Sequence, residues 1–390
     1  MKQQIKLSKS FLLICGICVA IGLSAFMVGF MTDPRRTWAN YLLNNFYFFS
    51  LAIGAAFFLA LQSITHSGWS AGFRRIPEAM MMYIPIAGIL MILLYFGMHY
   101  LYLWSQPAAV SGNEILRHKA TYLNIPFFFL RLLIFFSIWT VLIRLIRKAS
   151  LNEDKIGGLE NFVRIEKYSG IFIFFLAVSF SLVGFDLIMS IEAGWFSTIF
   201  ALKNFIAAFL HGTVTIFIIV LFLNRREYFD FLNVSHIHDF ARYIFIVSIF
   251  YGYFWFSQFM ITWYSNIPEE TIYYANRWTT EWQTFWALDI ILNWVIPFFV
   301  LLPVVTSRNK WIVLTVAFIL VVGQWVDLFV AIFPGTVGHS NIGFIEIGSF
   351  IGFAGLFAFI TGYFLTKAEI VPINHPFIEE SYQHHFESYI

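Results

Sequence analysis

The chain reads as an all-α integral membrane protein with ten transmembrane helices, and three observations predict this. Hydrophobic residues make up 59% of the 390 and charged residues only 12%, against roughly 25% charged in a soluble domain. A water-soluble surface cannot be assembled from that composition. The apolar residues fall into ten runs, each near the about 20 residues of helix that cross a hydrocarbon core. Lysine and arginine, finally, are divided unequally between alternate loops, as they are in polytopic proteins.

Taken in order, the runs lie at 11–31, 42–65, 80–103, 124–146, 169–192, 199–223, 240–264, 283–304, 311–333 and 343–366. The first follows Lys2, Lys6 and Lys9; its apolar stretch is too long for a signal peptide and no small-x-small cleavage site follows, so it reads as a retained helix. Cys15 and Cys18 lie on one face of it by their i,i+3 spacing. With no other cysteine they are packing residues and not a metal site, which wants about four ligands. Pro85 falls near the inner end of the third run and Pro297 breaks the eighth. The connection 147–168 is charged, contains Gly157-Gly158 and reads as a long loop hinging two helical groups. The tail 367–390 is polar, with His375, His384 and His385, and reads either as a solvated tail or as a docking segment for a neighbouring subunit.

Placing the amino terminus inside puts sixteen basic residues on one side and six on the other, with Arg242 and Arg131 set apart. That asymmetry predicts cytoplasmic termini. There is no basic patch for nucleic acid. No Cys-x-x-Cys-His motif occurs, so no haem is covalently attached, and no two mid-membrane histidines are available as axial ligands. Most of the 49 phenylalanines face lipid or pack, and Trp38, Trp104, Trp263 and Trp278 sit near run ends as interface anchors do.

Two pieces of sequence recur. G-F-D-L-I-M-S-I around Asp186 parallels W-V-D-L-F-V-A-I around Asp327, four helices later. His99 precedes Trp104 by five residues, as Gln258 precedes Trp263, and Lys119 stands twelve before Arg131, as Arg277 does before Asp289. This order predicts two like-oriented four-helix bundles, helices 2–5 (42–192) and 6–9 (199–333), flanked by helices 1 and 10. Parallel repeats of this kind also occur in transporters.

Charge inside the hydrocarbon costs about 2.5–3.5 kcal/mol per residue even on the lenient scale, so intramembrane ionisable residues are functional candidates. Here they are Arg131, Asp186, Asp289 and Asp327, all in the outer third, with Glu192, Lys203 and Glu346 nearer the interface. One reading is structural, Arg131 pairing with one aspartate. The other is an outward polar cavity whose carboxylates exchange protons, since burial raises a carboxyl pKa toward the working pH. Lys203, His211 and Thr215, then Ser248, Tyr251, Gln258 and Thr262, and lastly Asp289 and Asn293 each share a helix face by four-residue steps. They are the candidate rungs of a relay; His211, alone at mid-membrane, reads either as a packing residue or as a proton carrier.

The segments R-H-K-A-T-Y-L-N-I-P-F-F-F-L-R (Arg117–Arg131) and F-S-Q-F-M-I-T-W-Y-S-N-I-P-E-E-T (Phe256–Thr271) resemble the NrfD/PsrC-like membrane subunits of alternative complex III, a quinol:electron-acceptor oxidoreductase. The resemblance covers nearly the whole chain and is greatest to the smaller, ActF-like subunit. It implies two four-helix bundles and no cofactor in this chain. It also implies partners: a larger NrfD-like sibling, multihaem and monohaem cytochrome c subunits with c-type haems, and a subunit with iron–sulfur clusters, all fed by menaquinol. The better-supported quinol site belongs to the sibling, so this chain is expected to be a non-redox subunit, scaffolding and conducting protons. Two alternatives stand beside it: quinol oxidation by this chain itself, and an independent proton-coupled secondary transporter.

Overall fold

A computed structural model describes residues 4–385. It is 81% helical, with no strand among the described residues, and ten of its helices are long and apolar enough to cross a membrane. Helix α1 (Lys9–Thr32) starts at Ser8, whose hydroxyl accepts the Phe11 N–H, and ends at Asp33, which in turn caps α2 (Pro34–Ile64) through the Arg36 N–H. Side-chain caps of this kind satisfy the amides that a helix start leaves free. Asn124 opens α4 (Ile125–Ile156), Asn233 opens α7 (Val234–Ser265) and Asn309 opens α9 (Lys310–Thr336) in the same way. The remaining spans are α3 (Ala71–Phe96), α5 (Leu159–Leu187), α6 (Thr198–Asn224), α8 (Gln283–Leu301) and α10 (Phe344–Leu365).

Ten crossings bring both ends of the chain to one side, where Gln4 pairs with Glu369. We call that side the terminal face and the other the distal face. Helix α2 is the most enclosed and packs on α3, α5, α6, α9 and α10, whereas α1 is largely exposed and rests mainly on α10. Between apolar helices in lipid, close backbone approach and hydrogen bonds drive packing, so small residues mark the crossings. At Gly54 a Cβ would stand 1.9 Å from the Ala208 carbonyl oxygen of α6, and at Gly22 it would stand 2.5 Å from Gly352 of α10. Cys18 lies against Gly355 in that second seam.

Three expectations are corrected. The third span begins at Ala71, not near 80, because Arg74, Arg75 and Glu78 are carried inside the protein as a neutralised cluster. The connection 147–168 is not a long loop. Both flanking helices run through it and only Gly157 and Gly158 break them, at φ 70° and 79°, a left-handed region that suits glycine. The tail, as far as it is described, is not free: it lies back over the terminal face, with Asn374, Glu379, Glu380 and Gln383 still exposed. Ser381 Oγ donates to the Trp69 carbonyl, His384 Nε2 meets Asp239 Oδ2 at 2.6 Å, and Asn374 Nδ2 donates to the Asp154 carbonyl.

Candidate functional site

The four buried ionisable residues of the sequence do not share one cavity; they divide into two sites, one in each half of the chain. In the first half Arg131 of α4 holds Asp186 of α5 with both prongs of its guanidinium, Nε to Oδ2 at 2.7 Å and Nη2 to Oδ1 at 2.9 Å. Nη1 donates to the Tyr122 carbonyl, and the guanidinium lies 3.9 Å from the centre of the Tyr122 ring and 4.3 Å from that of Phe127. Burial pushes the Tyr122 phenol up to about 12, so it stays neutral over the cation. One positive and one negative charge, bidentate and enclosed, leave nothing unbalanced.

In the sequence repeat Asp289 of α8 answers to Arg131, and Asp327 of α9 answers to Asp186. Two carboxylates therefore answer to a cation and a carboxylate. The missing cation comes from α6: Lys203 is ion-paired with Asp327. Asp289 meets no salt-bridge partner among the described residues and is held by neutral donors, the Tyr251 hydroxyl at 2.6 Å, Trp255 Nε1 at 2.8 Å and Asn293 Nδ2 at 2.9 Å. Tyr251 also lies against Asp327, so one phenol bridges the two acids. Lys203, Asp289 and Asp327 are 6%, 2% and 3% exposed. They line a pocket of about 350 Å³, counting its mouth, on the distal side with Trp255, Gln258, Tyr273, Trp286 and Arg277.

Local breaks in the helices build this pocket. Pro297 has no N–H for the carbonyl of Asn293 four residues earlier, and a π-helical stretch, Ile291–Val295, occurs there, as π-bulges often do at functional sites. The Asn293 amide then reaches Asp289, while its Oδ1 accepts from Gln324 Nε2 of α9 at 2.8 Å. Pro334 likewise frees the Val330 carbonyl in α9, and Arg277 supplies the missing donor through Nε at 3.0 Å. Its Nη2 reaches the Ala331 carbonyl at 3.1 Å and Glu192 at 2.7 Å. Arg277 is thus engaged with Glu192 and the helix end, and Lys203, paired with Asp327, is the other cation of the pocket. Lys119, the counterpart of Arg277 in the first half, also holds a chain end, donating to the Ala193 carbonyl.

The other expected residues lie apart. His211 is buried in α6 with Nδ1 3.0 Å from Ser50 Oγ, its ring edge-on to Tyr47 at 4.2 Å and Nε2 without a partner. Lys203 is eight residues away on the same helix, about 12 Å at 1.5 Å per residue. Thr215 and Ser248 use their hydroxyls on backbone carbonyls one turn back, so neither serves as a rung between them. His99 is exposed at the distal face beside Ser105 and outside both sites. Gln258 is brought to the pocket, where its Oε1 is buried and unpaired.

A third buried charge cluster, absent from the expected set, sits at the terminal face. Arg74 meets Glu78 at 3.0 Å and Glu153 at 2.8 Å, and Arg75 meets Glu78 at 2.6 Å and also pairs with Asp154. Arg147 donates to the carbonyls of Glu78 and Phe364. Three arginines face three carboxylates. The R-R-x-x-E spacing of Arg74, Arg75 and Glu78 was the available signal, since i,i+3 and i,i+4 pairs meet on a helix. Trp255, Tyr273 and Trp286 of the distal pocket carried no such signal among so many aromatics. Comparison with protein-family models and with curated proteins finds no match to this chain.

Proposed function

We propose that the chain is a non-redox membrane subunit of a quinol:electron-acceptor oxidoreductase complex, and that its Lys203–Asp289–Asp327 site carries protons. The observation that carries the proton role is charge balance. Arg131 with Asp186, Arg36 with Glu346 and the terminal-face cluster each match cations to carboxylates. Among the described residues, the Lys203 site sets two enclosed carboxylates against one cation once the Arg277 that also lines the pocket is assigned to Glu192. An unpaired charge in such surroundings is neutralised by protonation, and two neighbouring carboxylates share a proton because both cannot ionise together. A metal ion is a poor substitute here, because both Asp289 oxygens already accept from neutral N–H and O–H donors.

The complex is supported by the resemblance of the Arg117–Arg131 and Phe256–Thr271 segments, and the inner-membrane orientation by the sixteen-to-six distribution of basic residues. In that setting menaquinol is the substrate of the whole complex, the haem and iron–sulfur subunits take the electrons, and the distal pocket exchanges protons with the outer side. Asp289→Asn keeps the shape and removes the titratable proton, and its amide N–H replaces one of the two oxygens that accept from Tyr251, Asn293 and Trp255. In an assembled complex in vesicles it should uncouple or slow quinol-driven proton release by tenfold or more, while unchanged proton yield in Asp289→Asn and Asp327→Asn would end the proposal. The helix break beside Asp289 also favours a second reading, a proton-coupled transporter, because transporters place broken helices at their sites. Co-purification with c-haem absorbance supports the complex; a colourless solitary protein supports the transporter.

A further inference from the structure

Away from both charge sites, α6 and α10 each pack on α2 with little direct contact between them. The cleft left between them is roofed by the segment Ile5–Phe11 and holds about 1020 Å³, counting its open side. Its walls are apolar, with Ile219, Phe222, Phe357 and Leu365 among them. The rim residues that line it at the terminal face are Lys6 and Arg226, and no acid lines it among the described residues. Along α6 the lining runs from Thr215 to Arg226, about 16 Å at 1.5 Å per residue. That is half of a hydrocarbon core about 30 Å thick, or one leaflet. Thr361 of α10 also lines it; it is 4% exposed, and its hydroxyl has no partner, although a helical threonine usually bonds back to the carbonyl one turn earlier.

We propose that this cleft is a binding site for one anionic phospholipid of the terminal-face leaflet. The acyl chains lie along α6 and α10, and the phosphate is held between Lys6 and Arg226. Depth, apolar walls and cationic rim fit a lipid of this class together. A soluble anion has no use for the walls, and a neutral isoprenoid has no use for the rim. Basic pockets between helices on one side of a membrane take acidic headgroups in this way, each lysine or arginine contributing about fivefold in affinity.

The test uses the purified full chain, stripped of lipid in detergent and titrated with phosphatidylglycerol, phosphatidylcholine or inorganic phosphate, reading bound lipid by native mass spectrometry and the shift in Tm. Phosphatidylglycerol should bind one per chain and raise Tm, and phosphatidylcholine should bind at least tenfold more weakly. The double variant Lys6→Gln, Arg226→Gln should lose roughly 20- to 30-fold in phosphatidylglycerol affinity and leave phosphatidylcholine unchanged. Ala358→Trp, which fills the cleft, should abolish retention of both. Equal binding of the two lipids overturns the proposal, as does an equal Tm shift from phosphate alone, or a co-purified isoprenoid in the cleft in place of phospholipid. Because the headgroup comparison is made on the unaltered chain, misfolding of a variant leaves the decision intact.

Discussion

The two halves of the chain put different chemistry at positions that answer to each other in the sequence repeat, and single residues make the difference. Arg131 with Asp186 is a closed pair, while Asp289 with Asp327 needs Lys203 from a third helix and still lacks one charge. Arg131→Gln should therefore destabilise the fold by about 3–5 kcal/mol, because it strands the Asp186 carboxylate. The double variant Arg131→Leu, Asp186→Leu should recover most of that loss, as buried pairs replaced whole by apolar residues often do. Thermal unfolding in detergent reads both, and a double variant as unstable as the single would show that the pair does more than neutralise itself. The repeat wording around Asp186 and Asp327, and the matched steps to Arg131 and Asp289, singled out these four residues in the sequence. That they would form two sites and not one was not legible, because the contact from Lys203 crosses between helices far apart in sequence.

At the scale of elements, hydropathy located all ten spans but misplaced the terminal-face ends of α3, α4 and α5. The reason is physical: Arg74, Arg75, Glu78, Arg147, Glu153 and Asp154 look like loop residues one at a time and are buried only as a balanced group. The tail was misjudged for a related reason, since its polar residues find partners on the terminal face. His375 sits in this region with its Nδ1 accepting the Phe377 N–H at 3.1 Å, which requires a neutral ring. Burial, helped by Arg74 and Arg75, pushes its pKa down to about 2. A histidine lowered from about 6.5 contributes stability that is complete above pH 6.5 and is lost as pH falls toward the folded value. Tail protection against limited proteolysis should accordingly weaken from pH 7.5 to pH 5, and His375→Gln should flatten that dependence; an unchanged profile in the variant would remove His375 as its cause. At the α2–α6 crossing, Gly54→Leu should separate the helices, since even a Cβ there would meet the Ala208 carbonyl at 1.9 Å. Its expected effect is loss of folded protein, scored by monodispersity after extraction.

For the whole molecule, the ten spans place the terminal-face cluster, the tail and the lipid cleft on one side and the Lys203 pocket toward the other. The cytoplasmic placement proposed for the terminal face makes that geometry testable. Cysteines introduced at 155 or 380 should be missed by a membrane-impermeant label applied from outside, and one at 269 should be reached; the reverse pattern would put the acid–base pocket on the cytoplasmic side. The charge balance leads to a narrower expectation than orientation or partnership: one dissociable proton on the Asp289–Asp327 pair at neutral pH, and none on the Asp186 that Arg131 neutralises. Infrared spectroscopy of the purified chain in H2O and D2O reads this most directly, through the deuterium-sensitive carbonyl band of a protonated carboxyl group. The band should be present in the unaltered protein, fall by one carboxyl equivalent in Asp289→Asn or Asp327→Asn, and persist in Asp186→Asn. A band lost only in Asp186→Asn, or unchanged in all three variants, would contradict it.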